Sequence, residues 1–299
     1  MRWEWIAVSY FAYLAGVSLT SARYGKARAP LLTAAAVGGI SVAIGLPSTS
    51  PDTLALARDV VLPSLVLLAG YWLSGLLFVE PNGRLEARLL SVDEALVGRT
   101  GLVARFNRAP QAIVEYFELT YLLVYPIVPA AVLTLALGGH EREVGRLWAV
   151  VMLSEFICYG MLPWLPTRPP RAIEPGPTAP PRGLARRLNL RIAARASIQA
   201  NTLPSGHAAG AFAVALAVGS AMPAAGALFL VLAISISIAA VAGRYHYAVD
   251  SILGVLLAFL DVGQVRPIDV DNATAFRVEN KLLIEIPIAK TCRDKLIVV

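Results

Sequence analysis

Two histidines and one aspartate have the types and the spacing that phosphoryl transfer needs. His246 and Asp250 are four residues apart, so a helix beginning near residue 246 would place them one turn apart on the same face. A carboxylate there can accept a hydrogen bond from one imidazole nitrogen, which leaves the other nitrogen to act as nucleophile or base. A helix-start histidine followed by a solvated aspartate would give the same pattern, so the pair alone does not decide.

The second histidine follows a turn, in the sequence Leu203–His207. Ser205 is a good helix N-cap, and Gly206 has no Cβ, so its backbone N–H could approach an anion closely. His207 would then lie in the first helical turn, where it could donate a proton to a leaving oxygen. An ordinary capped helix start is the alternative interpretation.

Arginines accompany both histidines and suit the oxygens of a phosphate group. Arg168 and Arg171 lie in the segment PTRPPR, and Arg244 lies two residues before His246. Arg168 and Arg171 could instead be positive anchors at a membrane boundary. Because two of only three histidines fall in these motifs, the set predicts a nucleophile, its orienting carboxylate, a general acid and charge stabilisers. The sequence contains no cluster of Asp and Glu residues that would indicate a required metal ion, and we expect no cofactor.

The elements that position these residues are predicted to be membrane helices. The chain is 57% hydrophobic and 15% charged, with a mean hydropathy of +0.64, which is well outside the usual range of soluble domains. Apolar blocks of about 20 residues match the length that a helix needs to cross a bilayer. The predicted fold is therefore an all-α, polytopic transmembrane bundle with about eight spans: residues 4–21, 30–46, 58–79, 111–137, 144–165, 206–221, 223–242 and 247–262.

The predicted organisation has three parts. Residues 1–57 form N-terminal transmembrane helices, residues 58–262 form the membrane core, and residues 263–299 form a polar tail. Within the core, residues 82–108 mix leucines with charges and predict an amphipathic helix at the interface. The net charge of +6 lies in loops, which favours membrane lipids rather than nucleic acid as the partner. We expect a multi-pass protein of the cell (inner) membrane with all three motifs on one face.

The PSGH motif, followed some forty residues later by HYxxD, resembles the type 2 phosphatidic acid phosphatase superfamily over roughly residues 110–262. The PTRPPR segment resembles the branch that contains inositol phosphorylceramide synthases, which are inositolphosphotransferases. The resemblance implies a six-helix core, formed by the last six spans, and a phosphohistidine intermediate on His246. It implies that Asp250 is the partner of that histidine and that His207 protonates the leaving group. It also implies a phosphate-binding shell of Ser205, Gly206, Arg168 and Arg244.

Two positions depart from that family's pattern. Met161 stands where the first motif has a lysine, and Ala240 stands where the third motif has an arginine. Arg171 could substitute for the lysine, and Arg244 for the arginine. The departures bear on substrate class more than on reaction type.

Three functions remain open on these residues. A phosphatase would pass the phosphate of a lipid-linked substrate to water, and a phosphotransferase or headgroup synthase would pass it to an alcohol. A degenerate site could instead belong to a lipid-binding protein. The membrane side is also open, because the basic loops indicate the cytoplasm whereas the resemblance points outward.

Overall fold

The structure is a computed structural model that describes residues 2–43, 57–174 and 183–265. Within these ranges the regular structure is helical, and the only β-type pairing is an isolated bridge between Thr167 and Asn201. The α-helices are α1 (Trp3–Leu19), α2 (Gly25–Ala43), α3 (Leu62–Gly75), α4 (Gly83–Asp93), α5 (Leu102–Arg108), α6 (Gln111–Leu122), α7 (Ile127–Leu137), α8 (Val144–Gly160), α9 (Leu184–Arg195), α10 (Gly206–Ala221), α11 (Pro223–Ala242) and α12 (Ala248–Gln264).

Helix α10 is the centre of the fold. It packs against α8, α11 and α12, and most of its residues are buried. Its sequence GHAAGAFAVALAVGSA is rich in glycine and alanine, and such small residues allow neighbouring helices to approach closely. Helix α1 packs against α2 and α8 on another side of the bundle. The catalytic-type residues of the sequence thus lie at the N-terminal ends of two helices that contact each other, α10 and α12.

The predicted span 111–137 differs from the structure. It consists of two helices, α6 and α7, that meet at an angle of 73°. Pro126 stands at the break, where its missing N–H and its ring oppose continuation of a helix from Leu122. Hydropathy alone predicts one span over residues 111–137, but the proline inside this apolar block separates it into two helices.

Few of the described helices are long and apolar enough to cross a membrane. In the described ranges one helix, Pro223–Ala242, is long and apolar enough to cross a membrane, and the bent pair α6–α7 could count as a second if it is one broken span. Most of the other apolar helices are shorter than the roughly 20 residues of a full crossing. The all-helical class is confirmed, and the eight-span bundle stays a prediction.

The segment 82–108, predicted to be one amphipathic helix, consists of shorter helices. Helix α4 continues into a π-helical turn, and α5 follows Gly101, whose φ of +64° is a left-handed conformation that suits glycine. Leu89 is buried, whereas Leu96 is 45% exposed. From residue 266 onward the predicted polar tail lies outside the described residues.

Candidate active site

The two histidines contact each other. His246 Nε2 lies 3.3 Å from His207 Nδ1, and the ring centroids are 5.2 Å apart. The other nitrogen of His246, Nδ1, lies 3.6 Å from Asp250 Oδ2. The structure thus brings together the three residues that the sequence identified as a catalytic set, with Nδ1 directed at the carboxylate and Nε2 directed at the second histidine.

Asp250 is completely buried and is held by two donors. Its Oδ2 accepts hydrogen bonds from the Tyr247 N–H at 3.0 Å and from Asn201 Nδ2 at 2.9 Å. The 3.6 Å separation from His246 is longer than a hydrogen bond, and catalytic hydrogen bonds often tighten only once substrate is bound. Its Oδ1 and the Nδ1 of His246 make no hydrogen bond to the described residues, so both atoms are available to form that contact.

The N-terminal ends of α10 and α12 are joined by the backbone. The Ser205 N–H donates to the Asp250 carbonyl oxygen at 2.9 Å, and Ser205 Oγ accepts from the Ala208 N–H as the N-cap of α10. This tie fixes the two motifs relative to each other, although they are more than forty residues apart in sequence.

Gly206, predicted to bind phosphate through its backbone N–H, has close neighbours at both its amide and its Cα. Its N–H donates to Thr202 Oγ1 at 3.2 Å, so this amide is already engaged. A Cβ at position 206 would lie 2.5 Å from Glu155 Oε2 and 3.0 Å from a ring carbon of Tyr159. The glycine therefore allows α10 to lie close to the Glu155 and Tyr159 side chains of α8.

The three predicted phosphate-binding arginines have unequal surroundings. Glu86 pairs with Arg168, while Asp93 and Glu174 pair with Arg244. Arg171 has no ion-pair partner among the described residues, and its guanidinium lies 4.8 Å from the centre of the Tyr245 ring. Of these three arginines, Arg171 is therefore the one without a carboxylate partner in the described ranges.

A column of stacked rings holds the second histidine. Tyr121 of α6 stacks on His207 at 5.0 Å and 8°, and on Tyr245 at 4.2 Å and 12°. Tyr245 in turn donates from its hydroxyl to Glu118 Oε2 at 2.7 Å. The orientation of the His207 ring is therefore set by α6.

The environment of His246 keeps its imidazole neutral. Burial, and then the nearby positive charge of Arg171, lower the pKa of His246 to about 3 from 6.5. A neutral imidazole keeps a lone pair for attack on phosphorus, as a nucleophile requires.

Within the described residues, no three His, Cys, Asp or Glu side chains are grouped so that they could hold a metal ion.

Sequence reasoning missed the polar residues that support this site. Asn201 holds Asp250, Glu118 holds Tyr245, and Glu86 and Asp93 hold the two paired arginines. One signal was present for Glu118, because an acid within an apolar block is costly unless it is paired. Glu86 and Asp93 gave no such signal, since they lie in a charged segment.

The comparisons with known proteins agree with this geometry at the level of the family. A model of the PAP2 superfamily matches residues 87–263, which contain all three motifs. No curated protein matches the chain, and no solved structure does. With more than half of its length matched and both histidine motifs inside the matched region, this chain belongs to the PAP2 superfamily.

Proposed function

We propose that this chain is a multi-pass membrane phosphoesterase that acts on a lipid-linked phosphate through a phosphohistidine on His246. Membership of the PAP2 superfamily supports a phosphoesterase of the phosphatase or phosphotransferase type. The observation that carries the residue assignment is the contact of His246 with both Asp250 and His207. Asp250 would orient the nucleophile, and His207 would serve as the general acid.

The geometry favours Nε2 of His246 as the attacking atom, because Nδ1 faces Asp250. In the first step a bond forms between Nε2 and phosphorus, the bond from phosphorus to the leaving oxygen breaks, and His207 gives that oxygen its proton. In the second step His207 takes a proton from water or an alcohol, whose oxygen attacks phosphorus as the P–N bond breaks. Since His246 Nε2 and His207 Nδ1 are only 3.3 Å apart, the two rings must separate to admit the phosphate.

Charge on the phosphate would be stabilised chiefly by Arg171, the one arginine of the predicted set without a carboxylate partner in the described ranges. Arg168 binds Glu86 through Nε and Nη2, so its Nη1 can also donate to a phosphate oxygen. Ser205 and Gly206 would support the site as the capped start of α10. Because guanidinium groups supply this positive charge, we propose that turnover needs no added metal ion.

Outward-facing apolar side chains support a membrane location. Leu137 is 81% exposed, Leu228 75% and Leu260 66%, each on a different helix. Such surfaces are unfavourable in water and mark contact with lipid or protein. We propose that the protein lies in the inner membrane. Residues 1–57 would form the N-terminal membrane helices and residues 58–262 the catalytic core, with α4 and α5 at the membrane–water interface.

A phosphotransferase is the second candidate, favoured by the PTRPPR segment. In that case the acceptor is an alcohol such as inositol, and the product is a phosphodiester rather than free phosphate.

The test is a panel of lipid phosphates given to the purified full-length protein, with a chelator present and with or without vanadate. We expect turnover by the wild type, inhibition by vanadate, and loss of turnover in His246→Ala and His207→Ala. Equal turnover in wild type and His246→Ala would contradict the mechanism. A phosphodiester formed with an added alcohol would identify the transferase, and absence of any turnover would favour a lipid-binding protein.

A further inference from the structure

One face of α4 carries two buried acids. Glu86 and Asp93 are seven residues apart, which is about two helical turns, so they point to the same side. Leu89 lies between them and packs with Leu203 and Tyr247. This face is directed at the segments that contain Arg168 and Arg244, so a single helix contacts both arginine motifs.

Glu86 makes three hydrogen bonds with Arg168. Its Oε1 accepts from the Arg168 backbone N–H at 2.9 Å and from Nε at 3.0 Å, and its Oε2 accepts from Nη2 at 2.8 Å. These bonds hold the pKa of Glu86 below its usual range. Glu86 is buried, whereas the Arg168 side chain is 42% exposed. One edge of the guanidinium is therefore fixed, while its outer part stays open.

Asp93 connects Arg244 with the first turn of α12. Its Oδ2 pairs with Arg244 Nη1, and its Oδ1 accepts from the Ala248 N–H at 2.6 Å. Ala248 is the first residue of α12 and lies two residues after His246. Arg244 itself has a φ of +61°, a conformation that non-glycine residues adopt at a cost and keep only when their surroundings impose it. Asp93 thus fixes both ends of the segment that carries the nucleophile.

We propose that Glu86 and Asp93 are positioning residues of the phosphoryl-transfer site, which act by fixing the guanidinium groups of Arg168 and Arg244. The proposal rests on the proposed function. The two acids contact no reacting atom. They set where two positive charges and the start of α12 lie when a phosphate enters between the histidines.

A purely structural role would make a different prediction. Leu89 supplies the packing of this face, and Glu→Gln or Asp→Asn leaves that packing and the side-chain volume unchanged. In Asp93→Asn the amide oxygen can still accept from Ala248, but an N–H group would face the Arg244 guanidinium. These substitutions therefore disturb arginine position more than they disturb the fold.

The test compares Glu86→Gln and Asp93→Asn with Glu94→Gln, a matched control at an exposed glutamate next to Asp93. The measurements are kcat and KM with a lipid phosphate, the inhibition constant for orthovanadate, and the melting temperature, all on the full-length protein. We expect kcat/KM to fall by about tenfold to a hundredfold in both variants. We also expect weaker vanadate inhibition and a melting temperature close to that of the control.

Activity and vanadate inhibition equal to those of Glu94→Gln would overturn the proposal, provided that wild type turns over substrate and His246→Ala does not. Equal activity in wild type and His246→Ala would instead count against the proposed function. If Glu86→Gln fails to fold, Glu86→Asp is measured in its place. This variant keeps the negative charge, but its shorter side chain withdraws the carboxylate from Arg168. Reduced vanadate inhibition in folded Glu86→Asp supports positioning, and unchanged inhibition overturns it.

Discussion

The chemistry of His246 depends on which nitrogen carries the proton. Tyr247 and Asn201 both donate to Asp250 Oδ2, which keeps that carboxylate facing His246 Nδ1. A proton on Nδ1 is stabilised by this carboxylate, and Nε2 is then the free base. In the proposed mechanism each ring nitrogen of His246 thus has its own role: Nδ1 holds the proton and Nε2 attacks phosphorus.

Asp250→Asn should abolish most of the activity. The amide oxygen would stay at the Oδ2 position, where it accepts from Tyr247 and Asn201. The neutral amide would no longer supply the negative charge that stabilises a proton on His246 Nδ1 and the positive charge on the ring as it attacks phosphorus. We expect kcat to fall by about 10³-fold, measured with a lipid phosphate. Asp261→Asn, three turns along the same helix and hydrogen-bonded to Ser154, is the control. A comparable fall in both variants would show that the loss is not specific to His246.

Acid should destabilise the fold through His246. The unfolded chain binds this proton near pH 6.5, but the folded chain binds it only near pH 3, because of burial and the charge of Arg171. The neutral histidine is therefore fully compatible with the fold above pH 6.5, and stability is lost as the pH falls towards 3. We expect the melting temperature to fall more steeply over this range in wild type than in His246→Gln. Parallel curves for the two proteins would contradict this expectation.

At the scale of elements, the site depends on how closely α12 approaches α10. A Cβ at Gly254 would lie 2.5 Å from the Ser205 carbonyl oxygen and 3.1 Å from the Ala209 nitrogen. Both contacts are to backbone, which cannot move aside as a flexible side chain can. This close approach is what allows the Ser205 N–H to reach the Asp250 carbonyl oxygen.

Gly254→Ala should separate the two helices. We expect a loss of about 1–3 kcal/mol in the free energy of unfolding, together with reduced turnover, because Ser205 and Asp250 would move apart. Gly263→Ala is the matched control on the same helix, since a Cβ there meets no atom of the described residues within 4 Å. Equal stability and activity in the two variants would show that this approach is not what holds the site together.

The motif residues could be predicted from sequence because their spacing is local. PSGH and HYxxD each lie at a helix start, and the packing of α12 against α10 brings His207, His246 and Asp250 to adjacent positions. The supporting acids could not be predicted, since Glu86 meets Arg168 across 82 residues and neither position shows a local pattern. Pro126 is visible in the sequence as a helix-breaking residue, but the hydropathy of residues 111–137 predicts one continuous span.

At the scale of the whole molecule, the exposed apolar helices predict stable insertion into a bilayer. We expect the full-length protein to stay with membranes after a wash at alkaline pH and to be released by detergent. The reason is that the outward leucines of α7, α11 and α12 would be transferred from lipid to water on release, at about 25 cal/mol per Å² of apolar surface. Release of the folded protein by the alkaline wash would contradict a multi-pass arrangement.

The central assignment, His246 as the nucleophile, can be measured directly by trapping the intermediate. Wild type, His246→Ala and Asp261→Asn would be mixed with a lipid carrying radiolabelled phosphate, quenched rapidly, and analysed for protein-bound label by peptide mapping. We expect wild type and Asp261→Asn to carry alkali-stable, acid-labile phosphate on the peptide containing residue 246, and His246→Ala to carry none. Label on His246→Ala, or turnover by wild type without any label at residue 246, would contradict the assignment.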